Sequence, residues 1–198
     1  MKIWLSDTGK KFNRDWIFRH LSCTFNTGRS YAIVGPNGSG KSTLLQMISG
    51  ALTPSEGKIE WGVEADTVFS HVAICAPYLE VVEEMTVTEF LAFHGSFKPL
   101  VAGVKDILSI INLTGAAHKQ IRYYSSGMKQ RVKLAQAFFS DAEILLLDEP
   151  CTNLDEAGYE LYYRLIKEFS QHRIVIVGSN EEKEILFCEE RINILDYR

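Results

Sequence analysis

Residues 35–42 read Gly35-Pro36-Asn37-Gly38-Ser39-Gly40-Lys41-Ser42 and match the pattern G-x-x-x-x-G-K-[ST]. An apolar run at 31–34 precedes this stretch, and a helix-like run at 43–49 follows it. A glycine-rich turn between a strand and a helix lets successive backbone N–H groups point inward, where no Cβ blocks them. The following helix adds the positive end of its dipole. The stretch therefore predicts a loop on an α/β sheet that cradles phosphate groups.

Two side chains of this loop have specific predicted tasks. Lys41 would reach the terminal phosphates, and the Ser42 hydroxyl would sit on Mg²⁺. The remaining loop residues would surround the phosphate oxygens, and we assign that role to Gly35, Asn37, Gly38, Ser39, Gly40 and Thr43.

Length and composition set limits on the class of protein. The chain has 198 residues, of which 46% are apolar and 23% charged, as in an ordinary globular protein. Its net charge of −4 gives no reason to expect a nucleic-acid partner. No run is long enough to cross a bilayer, and the N-terminus lacks a signal-peptide pattern. The four cysteines form no C-x-x-C pair, so we expect reduced thiols in a cytosolic protein.

The order of the apolar runs predicts an α/β fold with a parallel sheet covered on both faces. From about residue 86 to 139 the apolar periodicity becomes helical, so this block is interpreted as an insertion into the sheet domain. Strand-like runs occur at 2–5, 17–25, 31–34, 58–61, 71–76, 143–147, 173–177 and 192–195.

A second acidic motif follows one of the buried strands. Residues 144–150 read Ile-Leu-Leu-Leu-Asp-Glu-Pro, which places two carboxylates at the carboxyl edge of the sheet, where open α/β folds bind ligands. Asp148 would hold the Mg²⁺ ion, together with Ser42 or through water. Glu149 would orient or deprotonate a water molecule that attacks the terminal phosphate.

A third motif lies at the start of a helix that is predicted to run to about residue 139. Residues 124–132 read Tyr-Ser-Ser-Gly-Met-Lys-Gln-Arg-Val. Ser125 and the N–H groups from Gly127 onward would cap this helix, and a helix N-terminus of this kind binds an anion.

Taken together, these motifs resemble the nucleotide-binding subunits of ABC transporters, and the resemblance covers nearly the whole chain. The family's signature row is L-S-G-G-Q followed by Q-Q-R-V. Here Tyr124 stands for the leucine, Ser126 for the first glycine and Met128 for the glutamine, while Ser125 and Gly127 are kept.

The resemblance implies a single ABC ATPase domain over residues 1–198. Its fold would be α/β, with a P-loop NTPase sheet core of mostly parallel strands, an N-terminal antiparallel β part and an inserted helical subdomain. The core would span about 1–85 and 140–198, and the helical subdomain about 86–139.

The resemblance also implies the ligands and partners. The ligands would be ATP and Mg²⁺, and two copies, by default identical, would sandwich two nucleotides. Ser125, Ser126, Gly127 and Met128 of one subunit would bind the γ-phosphate held by the other. A separate membrane permease would be the partner, and the subunit would be cytoplasmic and peripheral on the inner face of the cell membrane.

Two further positions are assigned through the resemblance. Asp155, in the stretch 152–155, looks like the family's D-loop aspartate, which touches the partner subunit. Phe12 falls where the family carries an aromatic that stacks on adenine, with Trp16 as the fallback. Packing against the sheet is an equal alternative for these rings.

Two departures from the family pattern bear on hydrolysis. The family carries a glutamine just after the strand that enters the helical subdomain, where this chain reads Ala76-Pro77-Tyr78. Glu80 is a possible substitute. Asn180 occupies the place of the family's switch histidine, and an asparagine donates a hydrogen bond but carries no proton or positive charge. We still count Asn180, Glu149 and Lys41 as catalytic candidates.

Two other functions therefore stay open. The chain could be a nucleotide-gated regulatory or weakly hydrolysing subunit, or a soluble ABC ATPase outside transport. The retained Glu149 argues against the first, and the lack of a second cassette or a long coiled coil argues against the second.

Overall fold

The computed structural model describes residues 1–198 and contains eight strands in two sheets. The strands are β1 (Lys2–Phe12), β2 (Asp15–Asn26), β3 (Ser30–Val34), β4 (Glu56–Trp61), β5 (Val72–Cys75), β6 (Ile144–Asp148), β7 (Ile174–Gly178) and β8 (Glu190–Asn193). One sheet has three strands in the order β2-β1-β4, and the other has five in the order β5-β6-β7-β3-β8.

Seven α-helices accompany the strands. They are α1 (Lys41–Ile48), α2 (Val68–His71), α3 (Val87–Phe97), α4 (Val104–Ile110), α5 (Ser126–Phe139), α6 (Glu156–Phe169) and α7 (Glu182–Ile185). Three 3-10 turns lie at Thr114–Ala116, Ile121–Tyr123 and Ile194–Tyr197. No helix combines the length and the apolar character needed to cross a lipid bilayer.

The three-stranded sheet is antiparallel throughout. β1 and β2 form a hairpin, whose turn includes Asn13 with a left-handed φ of 54°. Ile3 and Leu5 are buried, whereas Trp4 between them is exposed, as expected when alternate side chains point to opposite faces. This sheet is the antiparallel β part expected from the resemblance.

The five-stranded sheet has parallel pairs along β6-β7, β7-β3 and β3-β8. Every residue of β6 and β7 is buried, which explains why both strands read as continuous apolar runs rather than alternating ones. Helix α1 packs into the same core through four fully buried side chains, Leu44, Leu45, Met47 and Ile48. The α/β fold class with a parallel sheet is therefore confirmed.

Two predicted elements differ from the structure. The last strand, expected at 192–195, is β8 at Glu190–Asn193, and a 3-10 turn follows it. β8 is an edge strand, and its first residues, Glu190 and Arg191, are polar and exposed. Because the prediction relied on apolar runs, it did not include them. The run at 71–76 contains β5, but His71 ends the short helix α2.

The chain divides into two compact units. The first contains 1–74, 142–149 and 172–198, and the second contains 75–141 and 150–171. The first unit holds both sheets' apolar core, and the second is mainly helical, with α3, α4, α5 and α6. The single ABC ATPase domain with a helical subdomain at about 86–139 stays a prediction.

Candidate active site

The predicted phosphate loop connects the end of β3 to the start of α1. Gly40 is the N-cap of α1 and has a left-handed φ of 109°, a conformation that favours glycine. A Cβ at Gly38, whose φ is 76°, would meet no atom within 4 Å. The turn therefore needs glycine at 38 for its backbone conformation rather than for space. Because Gly40 has no side chain, the first N–H groups of α1 carry no side-chain cap and can donate to an anion.

The ammonium group of Lys41 lies inside the loop. Lys41 is only 5% exposed, and its Nζ donates to the carbonyl oxygens of Gly35 at 2.8 Å and Pro36 at 3.3 Å. A cation held by two neutral carbonyls can exchange them for phosphate oxygens, which bind it more strongly because they are charged.

A pocket of about 180 Å³ opens over this loop. Its lining consists of Ile17, Asn37, Gly38, Gly40, Lys41, Ser42, Thr43 and Glu149. The structure therefore brings most predicted phosphate-binding residues together with Glu149. Ile17 is a lining residue that the sequence did not single out, since it reads as an ordinary strand residue of β2.

Ser39 is placed differently from its loop neighbours. Its side chain is fully buried, and its hydroxyl oxygen has no hydrogen-bond partner. A Cβ at Gly35 would lie 2.8 Å from this oxygen, so glycine at 35 leaves room for the Ser39 side chain.

Asp148 ends β6 in a buried position. It is 2% exposed, and its Oδ2 has no hydrogen-bond partner. Burial raises the pKa of this carboxyl, and the negative Glu149 acts in the same direction, whereas a hydrogen bond with Ser42 and the charge of Lys41 act to lower it. A buried carboxylate oxygen without a partner, next to a serine hydroxyl, is the kind of oxygen donor set that Mg²⁺ takes. Ser42 and Asp148 thus fit the predicted ion.

Glu149 turns the chain sharply at the end of β6. Its φ of 45° is in the left-handed region, which is unfavourable for a glutamate. Its backbone N–H donates to the Gly178 carbonyl at 3.0 Å, and this bond helps to hold the turn. Backbone strain of this kind occurs often at functional sites.

Asn180 lies at the same edge of the sheet. Its Oδ1 accepts a hydrogen bond from the Gly35 N–H at 3.1 Å, and its Nδ2 donates to Asn37 Oδ1 at 3.4 Å. The residue at the place of the switch histidine therefore contacts the phosphate loop directly.

The two aromatic candidates for adenine stacking do not line the pocket. Phe12 is 46% exposed, with Lys10 Nζ 5.3 Å from the centre of its ring. Trp16 has two cations over its ring, Lys11 Nζ at 5.2 Å and Arg19 Cζ at 4.2 Å. Arg19 is in turn held by a two-bond pair with Glu56. Two cations lie over the Trp16 ring and one over the Phe12 ring, so Phe12 has the less occupied ring of the two.

The signature row caps helix α5 as predicted. Ser125 is the N-cap, and its hydroxyl accepts a hydrogen bond from the Met128 N–H at 3.3 Å. Tyr124, in place of the family's leucine, is 6% exposed, and its hydroxyl donates to the Ala116 carbonyl at 2.7 Å. The phenol thus buries its ring and still satisfies its polar end.

A second pocket, of about 470 Å³, opens at this helix start. Its lining consists of Asn112, Leu113, Gly115, Ala116, Ser125, Ser126, Gly127, Met128, Arg131, Asn153 and Asp155. All four signature residues and Asp155 therefore share one pocket. Arg131 and Asn153 lie within the signature row and the stretch 152–155, but the sequence had assigned them no role. The four lining residues 112–116 belong to no motif that the sequence showed.

Asp155 has a structural task at this pocket. Its Oδ1 caps α6 by accepting the Gly158 N–H at 2.9 Å, and it also faces Arg131 at 3.4 Å. A Cβ at Gly127 would lie 3.1 Å from the Asn153 carbonyl, so the first turn of α5 approaches the loop 152–155 closely.

The segment that lacks the family glutamine is attached to α5. Lys133 Nζ donates to the Pro77 carbonyl at 3.2 Å, and Lys129 forms an ion pair with Glu83. Ala76 is buried, whereas Glu80, the possible substitute for the glutamine, is exposed.

Comparison with known proteins identifies the family. A family model described as ABC transporter matches residues 18–152. The chain is 33% identical over 176 residues to the uncharacterized ABC transporter ATP-binding protein YxlF of Bacillus subtilis, covering 86% of this chain and 60% of that protein. It is 30% identical to YybJ of the same organism, covering 89% of this chain and 84% of that protein. The chain belongs to the family of ABC transporter ATP-binding proteins.

Three further comparisons concern a larger protein and two solved structures. ABC transporter A family member 7 of Arabidopsis thaliana is 29% identical over 188 residues, which are only 20% of its length. A putative ABC transporter ATP-binding protein from Pyrococcus furiosus superposes with a TM-score of 0.86 at 26% identity, covering 100% of this chain and 99% of that one. A bacterial Atm1-family ABC exporter with ATP bound has the same fold, with a TM-score of 0.80 at 22% identity, and covers 98% of this chain and 39% of that one.

Proposed function

We propose that this protein binds and hydrolyses ATP as the ATP-binding subunit of an ABC transporter and powers a separate membrane permease. The observation that carries the proposal is the pocket over the phosphate loop, which contains Lys41, Ser42 and Glu149 together. The unpartnered oxygen of the buried Asp148 supports a bound divalent cation.

The proposed chemistry is in-line attack of water on the γ-phosphate. Lys41 and the loop N–H groups would bind the phosphate oxygens and stabilise the charge that develops on them. Glu149, whose strained backbone is held at the strand end, would orient the attacking water and accept its proton. Asn180 would donate a hydrogen bond to the γ-phosphate.

Ser42 and Asp148 would hold Mg²⁺ next to the phosphates. When bound, this ion neutralises part of the phosphate charge. Asp148 must then be ionised. Burial raises its pKa and so opposes ionisation, whereas the hydrogen bond with Ser42 and the charge of Lys41 favour the ionised form.

The second pocket, at the start of α5, is called the signature pocket below. It would complete the site of a second copy. Ser125, Ser126, Gly127 and Met128 would bind the γ-phosphate held by the partner subunit, and Asp155 would touch that subunit. ATP binding would close the dimer, by default a homodimer, and hydrolysis would open it.

Permease and location are proposed from family membership. We infer that this subunit acts in the cytoplasm, on the inner face of the cell membrane, with a permease on a different chain. Phe12, at the end of β1, would stack on adenine.

The decisive experiment is steady-state ATP turnover by the purified protein with Mg²⁺, alongside Glu149→Gln. We expect the variant to lose about 10²–10⁴-fold in turnover, the usual contribution of a positioned general base. Equal turnover by the two proteins would remove Glu149 from the mechanism.

A weakly hydrolysing regulatory subunit is the second candidate. Asn180 at the switch position and Ala76-Pro77-Tyr78 in place of the glutamine favour it. ATP binding without turnover in the wild-type protein, also in the presence of its permease, would select this function over the first.

A further inference from the structure

The side chain of Asn180 forms its hydrogen bonds with the phosphate loop, residues 35–42. Its Oδ1 accepts from the backbone N–H of Gly35, and its Nδ2 donates to the side-chain oxygen of Asn37. The orientation of the amide follows from its partners, because only the oxygen of Asn180 can accept from a backbone N–H. Asn180 thus connects the first residue of the loop to its third.

Sheet register places Asn180 at this point. In the parallel pair β3-β7, Ile33 lies beside Gly178, and the Ser179 N–H donates to the Ile33 carbonyl at 3.2 Å. Two residues beyond this pair, both segments of the chain lie past the ends of their strands, and Asn180 lies next to Gly35. A side chain of two carbons and an amide is long enough to reach the Gly35 N–H from there.

The start of the loop has a second anchor, which ligand binding would remove. The Gly35 carbonyl accepts from Lys41 Nζ at 2.8 Å. When Lys41 turns to phosphate oxygens, this bond is weakened or lost. Although the sequence predicted that Gly35 surrounds the phosphates, Gly35 does not line the pocket over the loop, so its N–H stays with Asn180 when the pocket receives a nucleotide.

We propose that Asn180 is a positioning residue that holds residues 35–37 of the phosphate loop in their nucleotide-receiving conformation. This inference rests on the proposed nucleotide binding and adds a task to the γ-phosphate contact predicted for Asn180. Because the amide does not titrate, the anchor is independent of pH in the physiological range.

A comparison of ADP with ATP separates the two tasks. A residue that only contacts the γ-phosphate affects the binding of ATP, whereas a residue that holds the loop affects both nucleotides. We expect Asn180→Ala to raise the Kd for ADP about tenfold, equivalent to about 1.4 kcal/mol. Asn180→Leu, which keeps the side-chain size but makes neither hydrogen bond, should do the same.

The experiment is calorimetric titration of wild-type protein and both variants with Mg²⁺-ADP and Mg²⁺-ATP. Gln171→Ala is the matched control, because it removes an exposed side-chain amide whose hydrogen bond is local to α6. Its Kd for ADP should be unchanged. Thermal unfolding of all four proteins would check that each is folded.

The outcomes distinguish the inference from the proposed function. A Kd for ADP that stays at the wild-type value in Asn180→Ala and Asn180→Leu, while wild-type protein binds both nucleotides, overturns the loop-positioning role alone. Wild-type protein that binds neither nucleotide overturns the proposed function, and the inference with it.

Discussion

Single residues at the nucleotide pocket show how charge is placed before any ligand arrives. Lys41 and Asp148 are both almost fully buried, and each is costly to bury alone. Lys41 is compensated by two carbonyls, whereas one oxygen of Asp148 has no hydrogen-bond partner. Burial disfavours the charged form of Asp148, and for this reason its pKa is raised. This arrangement of charges supports the proposed binding of phosphate groups together with a cation.

The first residue-scale prediction concerns Lys41. Lys41→Ala should weaken ATP binding at least about 100-fold, because several charge-assisted hydrogen bonds are lost at about 1.5–3 kcal/mol each. Titration with a fluorescent ATP analogue measures the change. Lys167→Ala, which removes an exposed lysine on α6, should bind as the wild type does. Retained affinity in Lys41→Ala would contradict the assignment of the loop.

At the scale of elements, helix α5 connects several parts of the second unit. Its N-cap Ser125 lies in the signature pocket, while Lys129 and Lys133, one turn apart, bond to the segment 77–83. Its Gln130 is buried and donates to the Pro150 carbonyl at 2.6 Å. The helix start, which is proposed to bind phosphate, is therefore fixed to the segment that replaces the family's glutamine region.

Ser125 allows helix capping and phosphate contact to be separated. Ser125→Ala should lower the free energy of unfolding by about 1 kcal/mol, whereas Ser125→Gly should lower it by only a few tenths of that. Both variants lack the hydroxyl, so both should lose ATP turnover to a similar extent. Chemical denaturation and turnover measured on the same preparations test this. If Ser125→Ala lost turnover but Ser125→Gly kept it, in parallel with their free energies of unfolding, the hydroxyl would act only as a helix cap.

For the whole molecule, the two pockets have complementary contents. The pocket over the phosphate loop is lined by the cationic Lys41 and the acidic Glu149, and the signature pocket is lined by the N-terminus of helix α5. A helix start with free N–H groups binds an anion but does not activate water. Each copy of the chain therefore carries two different half-sites, the phosphate-loop pocket and the signature pocket. In the proposed dimer, each half-site would be completed by the other half-site of the second copy.

The dimer prediction uses the slow variant as a trap. Glu149→Gln with ATP and Mg²⁺ should have twice the mass of the nucleotide-free protein in light scattering, because bound ATP is not removed by hydrolysis. Glu149→Gln combined with Lys41→Ala is the control and should remain a monomer at the same ATP concentration. A monomeric Glu149→Gln protein with ATP bound would contradict closure of two identical copies.

Much of the site was predictable because its residues are close in sequence. The loop 35–42 needs only its own glycines and the helix that follows, and the row 144–149 needs only a buried strand with two acids at its end. The buried strands β6 and β7 are also visible as apolar runs, since both of their faces are covered. The α/β class and the membership in the ABC family follow from these local patterns.

Only the tertiary structure shows the contacts between residues that are far apart in the sequence. Ile17 reaches the nucleotide pocket from β2, and Arg131 and Asn153 meet in the signature pocket from different elements. Asn180 bonds to Gly35 across 145 positions of sequence, which only the parallel register of β3 and β7 brings about. A local pattern reports which backbone conformation a segment prefers, whereas contacts between segments depend on how the sheet aligns them. For that reason the sequence by itself determined the loop and its chemistry, and the fold determined which side chains hold the loop in place.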